Sequence, residues 1–171
     1  GNGTAVGVAG FAVQAIPAAN DFRIAAGVPA PGTCLVGGIE VKIAADINYS
    51  AQAGVPALTT PDATQPDPRT DAVFLDAWLD DVDGVEDAEL LNSSDIGMQT
   101  SVRQRPAWRV RVAEGVAVPA PAAGHFHYAL ARIVRPRNNA QITGAMITDL
   151  RQTITALADV GSRLAFMEQV L

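Results

Sequence analysis

Two stretches, Ala72 to Leu79 (AVFLDAWL) and Trp108 to Val112 (WRVRV), limit most strictly what this chain can fold into. Both carry β-branched and aromatic residues in partly alternating order, the pattern of half-buried strands. In the first, Val73, Leu75, Ala77 and Leu79 face one way, and Phe74, Asp76 and Trp78 the other. The intervening segment VDGVEDAELLNSSDIGMQTSVRQR is too long for a tight turn. This pair of strands sets the expectation of a mainly β chain.

Length and charge narrow the function classes. At 171 residues the chain suits one domain with an appendage. Its apolar fraction of 49% is rich in Ala and only 5% of the chain is aromatic. A core would therefore combine small residues with a few anchors: Phe11, Phe22, Phe74, Trp78 and Trp108. The net charge of −6 argues against a nucleic-acid-binding surface, which needs a basic face. No apolar run reaches membrane-spanning length, so no membrane insertion is expected. No signal peptide is visible, and an internal piece of a longer protein or a processed chain are both open. The single cysteine, Cys34, reads as a small buried hydrophobe.

Along the chain, residues 1–10 form a glycine-rich lead-in, residues 11–139 a β-rich domain, and residues 140–171 a C-terminal helix. The expected fold is an antiparallel β-sandwich or barrel-like domain followed by that helix. Strands are expected over Phe11 to Ile16, Phe22 to Ile24, Ile47 to Ser50 and Phe126 to Val134. Leu35 to Ile43 reads as one strand interrupted at Gly37-Gly38 by a bulge or tight bend. Glu40 and Lys42 would share its solvent face, opposite Ile39, Val41 and Ile43. Residues 53–70 contain four prolines and read as an extended surface loop.

Charged residues offer several candidate sites. The acidic run from Asp80 to Glu89 lacks the spacing of a calcium-binding EF-hand loop and reads as a solvated turn with a short helix at Glu86 to Leu91. Arg103, Arg105, Arg109 and Arg111 would share one strand face, although Pro106 interrupts the ladder. That stripe suits pairing with the acidic residues, within the domain or across a subunit contact, better than binding a phosphate or sugar acid. His125 and His127 on one strand face are candidate metal ligands, but one chain offers no third ligand in view. The reading favours no metal, no cofactor and no enzyme, because no Ser/His/Asp set or carboxylate pair stands out.

In the C-terminal segment Thr143 is a candidate N-cap. Ile147, Leu150, Ile154 and Leu157 follow a/d spacing, and Val160, Leu164, Met167 and Leu171 resume it after one shortened step. Both a coiled coil and an amphipathic helix packed on its own domain fit that pattern.

Ordered motifs run through residues 10–151. They comprise Gly10-Phe11, Asn20-Asp21-Phe22-Arg23-Ile24 with Gly27, Val36-Gly-Gly-Ile39-Glu-Val41 and Tyr49-Ser-Ala-Gln52. Then follow Phe74-Leu75-Asp76-Ala-Trp78, Glu86-Asp87-Ala-Glu-Leu90, Thr100-Ser-Val-Arg103, Trp108-Arg-Val-Arg-Val112, Tyr128-Ala-Leu-Ala131 and Ile147-Thr148-Asp149-Leu150-Arg151. The set resembles an uncharacterised domain family of phage tails and phage-like contractile injection systems. Gln99, Arg109 and Gly37 depart from that family's pattern, where Asp, Gln and Asp are favoured.

The resemblance implies a structural virion protein: a baseplate, spike-associated or tail-fibre attachment component in a virion or extracellular phage-like particle. Its implied partners are further copies of itself, as a trimer, and other tail or baseplate proteins. A carbohydrate- or host-surface-binding module is the alternative, with Trp78 and Asp76 as the candidate contact for a surface glycan. Asp76, Trp78, Thr100, Arg103 and Trp108 are the expected structural or interface residues. The expected oligomerisation seam is Ile147, Leu150, Ile154, Leu157, Leu164 and Leu171.

Overall fold

The computed structural model describes residues 8–82 and 103–152. Ten strands occur there: β1 (Val8–Ala9), β2 (Ala12–Ala15), β3 (Phe22–Ala25), β4 (Gly32–Val36), β5 (Ile39–Ile43), β6 (Ile47–Asn48), β7 (Arg69–Val82), β8 (Arg103–Ala113), β9 (His125–Arg135) and β10 (Ile147–Asp149). They form three antiparallel sheets, ordered β1-β4-β5, β2-β3-β6 and β10-β9-β7-β8. The chain is thus mainly β and antiparallel, as expected. The sheets do not close on themselves, which corrects the barrel-like alternative.

One core joins the three sheets. Val73, Leu75 and Ala77 of β7, Val110 of β8, and Leu130 and Ile133 of β9 meet Phe22 and Ile24 of β3, Cys34 and Val36 of β4, and Val41 and Ile43 of β5. Alternation along β5 is as expected, with Ile39, Val41 and Ile43 buried and Glu40 and Lys42 exposed. The expected single strand Leu35 to Ile43 is instead a hairpin. Gly37 and Gly38 have φ of 57° and 85° and form a two-residue turn, the geometry whose twist matches that of paired strands. A Cβ on Gly37 would lie 2.1 Å from the Phe126 ring, so the turn also rests on β9.

Other differences have local causes. Pro106 does not interrupt β8, because β8 is a sheet edge and its outer side needs no ladder donor. The expected loop 53–70 is not wholly a surface loop, since Leu58 is buried and Arg69, also buried, begins β7. The C-terminal helix expectation fails where it can be tested. Thr143 makes no side-chain capping bond and precedes a single 3-10 turn, Gly144–Met146. Ile147 and Thr148 then enter β10, where β-branched side chains suit the pleat, and Leu150 N–H donates to the Leu130 carbonyl at 2.9 Å. Ile147 and Leu150 therefore belong to the edge of a sheet and its exit, not to a coiled-coil seam. Ile154, Leu157, Val160, Leu164, Met167 and Leu171 lie outside the described residues, as do Thr100 and the acidic run beyond Val82.

Candidate functional site

β7 is the centre of the long sheet, and its two faces carry different chemistry. Odd positions from Arg69 to Ala77 point to the core. Even positions point outward, where Phe74 faces Arg111 and Ala129, Asp76 faces Arg109 and His127, and Trp78 faces Ala107 and His125. A register shift between Val73 and Phe74 makes this possible. The extra residue on β9, Leu130, reverses parity, so His125 and His127 face outward while Ala131, Ile133 and Arg135 face inward.

Asp76 organises the outer face. It is 3% exposed, and every contact it makes holds a neighbouring strand. Arg111 Nε donates to its Oδ2 at 2.8 Å, and His125 Nδ1 lies 2.7 Å from its Oδ1. His127 Nε2 faces the same Oδ1 at 3.6 Å, while His127 Nδ1 meets the Pro119 carbonyl at 3.1 Å. These donors offset the cost of burying the carboxylate. Its oxygens are committed to the protein's own donors, which leaves little for an outside sugar hydroxyl.

The remaining side chains pack around that hub. Half-buried Trp78 stacks on His125 at 5.0 Å and 22°, and the Arg109 guanidinium sits 5.5 Å from the indole centre. The Phe74 ring lies 4.6 Å from His127. Phe74 is 2% exposed yet stands apart from the main core. Arg105 pairs with Asp80 at 3.4 Å. The expected basic stripe thus exists, and two of its members pair with acids of β7. Arg103 stands opposite Val82 at the start of β8. His125 and His127 are held by Asp76 and Pro119. Among the described residues no three His, Cys, Asp or Glu side chains are placed to hold a metal.

Trp108 belongs to the opposite face. Its Nε1 donates to the Lys42 carbonyl at 2.9 Å, and its ring meets Phe11 edge-on at 5.0 Å and 82°. It therefore pins the edge of β8 to β5. Nearby, Gln52 acts as a substitute strand. Val110 N–H donates to Gln52 Oε1 at 2.8 Å, and Gln52 Nε2 donates to the Val110 carbonyl at 3.2 Å. Asp21 ties the same loop to β3, accepting from Phe22 N–H, Ser50 N–H and Ser50 Oγ at 2.9, 3.1 and 2.7 Å. Tyr49 stacks on Phe22 at 5.0 Å, and burial pushes its phenol up to about 12.

A second polar cluster, at the start of β7, was not anticipated. Arg69 and Arg135 face each other across β7 and β9, both fully buried. Arg69 grips Asp71 with Nε and Nη2 at 2.7 and 2.9 Å, and Nη2 also reaches Glu114 at 2.7 Å. Its Nη1 donates to Thr59 Oγ1 and Gln65 Oε1 at 2.9 and 3.0 Å. Arg135 donates to the Thr59 carbonyl at 2.8 Å and to Asn20 Oδ1. Burial pulls the Arg135 guanidinium below its usual value, and Asp71 pushes it back up. The cluster clamps the Pro-rich segment onto the sheet. Its signal was present in the sequence: the odd-numbered core set of β7 continues backwards through Asp71 to Arg69.

Beyond β10, Arg151 pairs with Asp149 and donates to the Gly10 carbonyl, while Gln152 N–H donates to Tyr128 Oη at 2.6 Å. The Arg151 bonds hold the Asp149 carboxyl below its usual value. Comparisons of the chain with protein families, with curated proteins and with solved structures find no match.

Proposed function

We propose that this chain is a structural component of a phage tail or phage-like injection apparatus, a baseplate part or an attachment piece for a tail fibre or spike. One observation carries the reading furthest. The ordered motifs that resemble the tail family include residues that interlock the strands: Asp21 with Ser50, Gln52 with Val110, Trp108 with Lys42, and Arg151 with Asp149 and Gly10. A part that transmits load within an assembly needs such cross-ties more than an open cleft. Trimeric association follows from the family resemblance and would draw on the seam residues beyond Gln152, namely Ile154, Leu157, Leu164 and Leu171. The glycan-binding alternative retains Trp78 on the outer face but loses Asp76, which is 3% exposed and bonded to Arg111 and His125.

Localisation in purified particles tests the proposal. A tagged chain should be found at the baseplate or a fibre attachment point by electron microscopy, with a copy number that is a multiple of three. Particles that assemble and inject normally without the chain would overturn it. Binding of the isolated domain to a glycan array, with loss in Trp78→Ala, would favour the alternative.

A further inference from the structure

We propose that the free edge of β5 docks a second copy of this chain, which pairs its own β5 antiparallel about Val41. The hairpin register decides which backbone groups are free. Its two-residue turn makes Val36 and Ile39 a hydrogen-bonded pair, and Cys34 with Val41 and Gly32 with Ile43 follow in alternation. Glu40 and Lys42 occupy the intervening pairs, so their N–H and C=O groups turn away from β4. Trp108 agrees with that direction, since its Nε1 reaches the Lys42 carbonyl at 2.9 Å from β8. Among the described residues no strand pairs with β5 on this side. The long edge of β8, by contrast, is closed at Val110 by Gln52 and lacks an N–H at Pro106. Beside β5 lies an open groove of about 540 Å³ walled by Ile39, Leu79, Pro106 and Trp108, and Leu79 is 46% exposed.

Charge selects the occupant. Glu40 and Lys42 alternate in sign on the solvent face of β5, 3.4 Å apart and both more than half exposed. Pairing about Val41 sets Glu40 opposite the second copy's Lys42, and Lys42 opposite its Glu40. Both members of each pair turn their backbone groups towards the shared edge, so each pair exchanges two N–H···O bonds. The Lys42 carbonyl, already bonded to Trp108, accepts on its second lone pair. The side chains of each pair lie on one face, where opposite charges attract. A slip of two residues would set Glu40 against Glu40 or Lys42 against Lys42, and a slip of one would turn free groups towards groups already bonded to β4. An edge bearing one sign of charge repels its copy, whereas this edge complements itself in a single register. The contact is two-fold and closes at a pair of chains. It stands apart from the trimeric association proposed above, and a two-fold contact between trimers keeps the copy number a multiple of three.

The test is sedimentation equilibrium of the full chain over a concentration series at low salt. The unmodified chain should form an even-numbered assembly. Glu40→Lys and Lys42→Glu each replace two opposite-charge pairs by two like-charge pairs, so each alone should associate about tenfold more weakly. An equal mixture of the two variants restores both opposite-charge pairs and should associate as tightly as the unmodified chain. Glu40→Pro removes an N–H that β4 does not use, so it should abolish association while leaving the melting temperature unchanged. Absence of even-numbered species in the unmodified chain at its highest soluble concentration overturns the proposal. So does a mixture that associates no better than either variant alone, which would make the effect one of net charge. If Glu40→Pro fails to fold, the mixing experiment still decides.

Discussion

Arg69→Met should be among the most damaging single substitutions in this domain. Arg69 is fully buried and its three nitrogens reach Asp71, Glu114, Thr59 and Gln65. Met fills much of the volume of the side-chain stem and removes every one of these donors. Asp71, 1% exposed, would keep the Gly115 N–H at 2.9 Å and a distant Arg135 Nη1 at 3.7 Å. A buried carboxylate stripped of its main partner typically destabilises a protein by about 3–5 kcal/mol. For a chain of this size that corresponds to a drop of roughly 6–20 °C in melting temperature. Urea denaturation gives the change directly, provided the slope stays constant. Asp71→Asn added to Arg69→Met should recover part of the loss, because the abandoned charge goes with it. A single substitution costing less than about 1 kcal/mol would refute the reasoning, since an intact buried pair would then have contributed no more than a surface one.

Two further outcomes follow from local geometry. Gly37→Ala should destabilise more than Gly38→Ala in urea midpoints: both residues have positive φ, worth about 1–2 kcal/mol to any side chain, but only the Gly37 Cβ would collide with Phe126. Equal losses would mean that the Phe126 ring moves aside at no cost. Burial pushes the Cys34 thiol from 9.0 up to about 11, so its contribution is complete below pH 9 and is lost as pH rises through 11. The urea midpoint should fall across that range by up to about 3 kcal/mol equivalent, and Cys34→Val should flatten the fall.

Much of the architecture was legible because period-two patterning is a local property. The strands Phe22 to Ile24 and Phe126 to Val134, the alternation of β5, and the two faces of β7 follow from side chains that alternate every residue. Gly37-Gly38 alone leaves the element open, because a bulge and a two-residue turn share the same glycine signature. The distinction depends on whether the flanking segments pair with each other, which local pattern does not encode. The polar sites were less legible for a similar reason. Asp76 and Trp78 share a face by parity alone, but their partners Arg111, His125 and His127 come from strands distant in sequence.

Residues 147–150 show how a helical spacing can occur in a strand and its exit. Ile147 and Leu150 are spaced as one face of a helix requires, yet that spacing costs nothing to a short strand and its exit. Ile147 enters the sheet beside Ile133, and Leu150 closes it by donating to Leu130. What decides between the two is the state of β9. Without β10, the far side of β9 would present unpaired backbone groups along a strand whose core face carries Leu130, Ala131 and Ile133. Covering such an edge removes a site for mispairing with other chains, and three residues with two β-branched side chains suffice. The Leu150 N–H reaches the Leu130 carbonyl by continuing the β10–β9 register one step past Asp149 and Ala131. The residue inserted at Leu130 sets the outer-face cluster, and no pattern within residues 140–152 records which strand edge β10 covers.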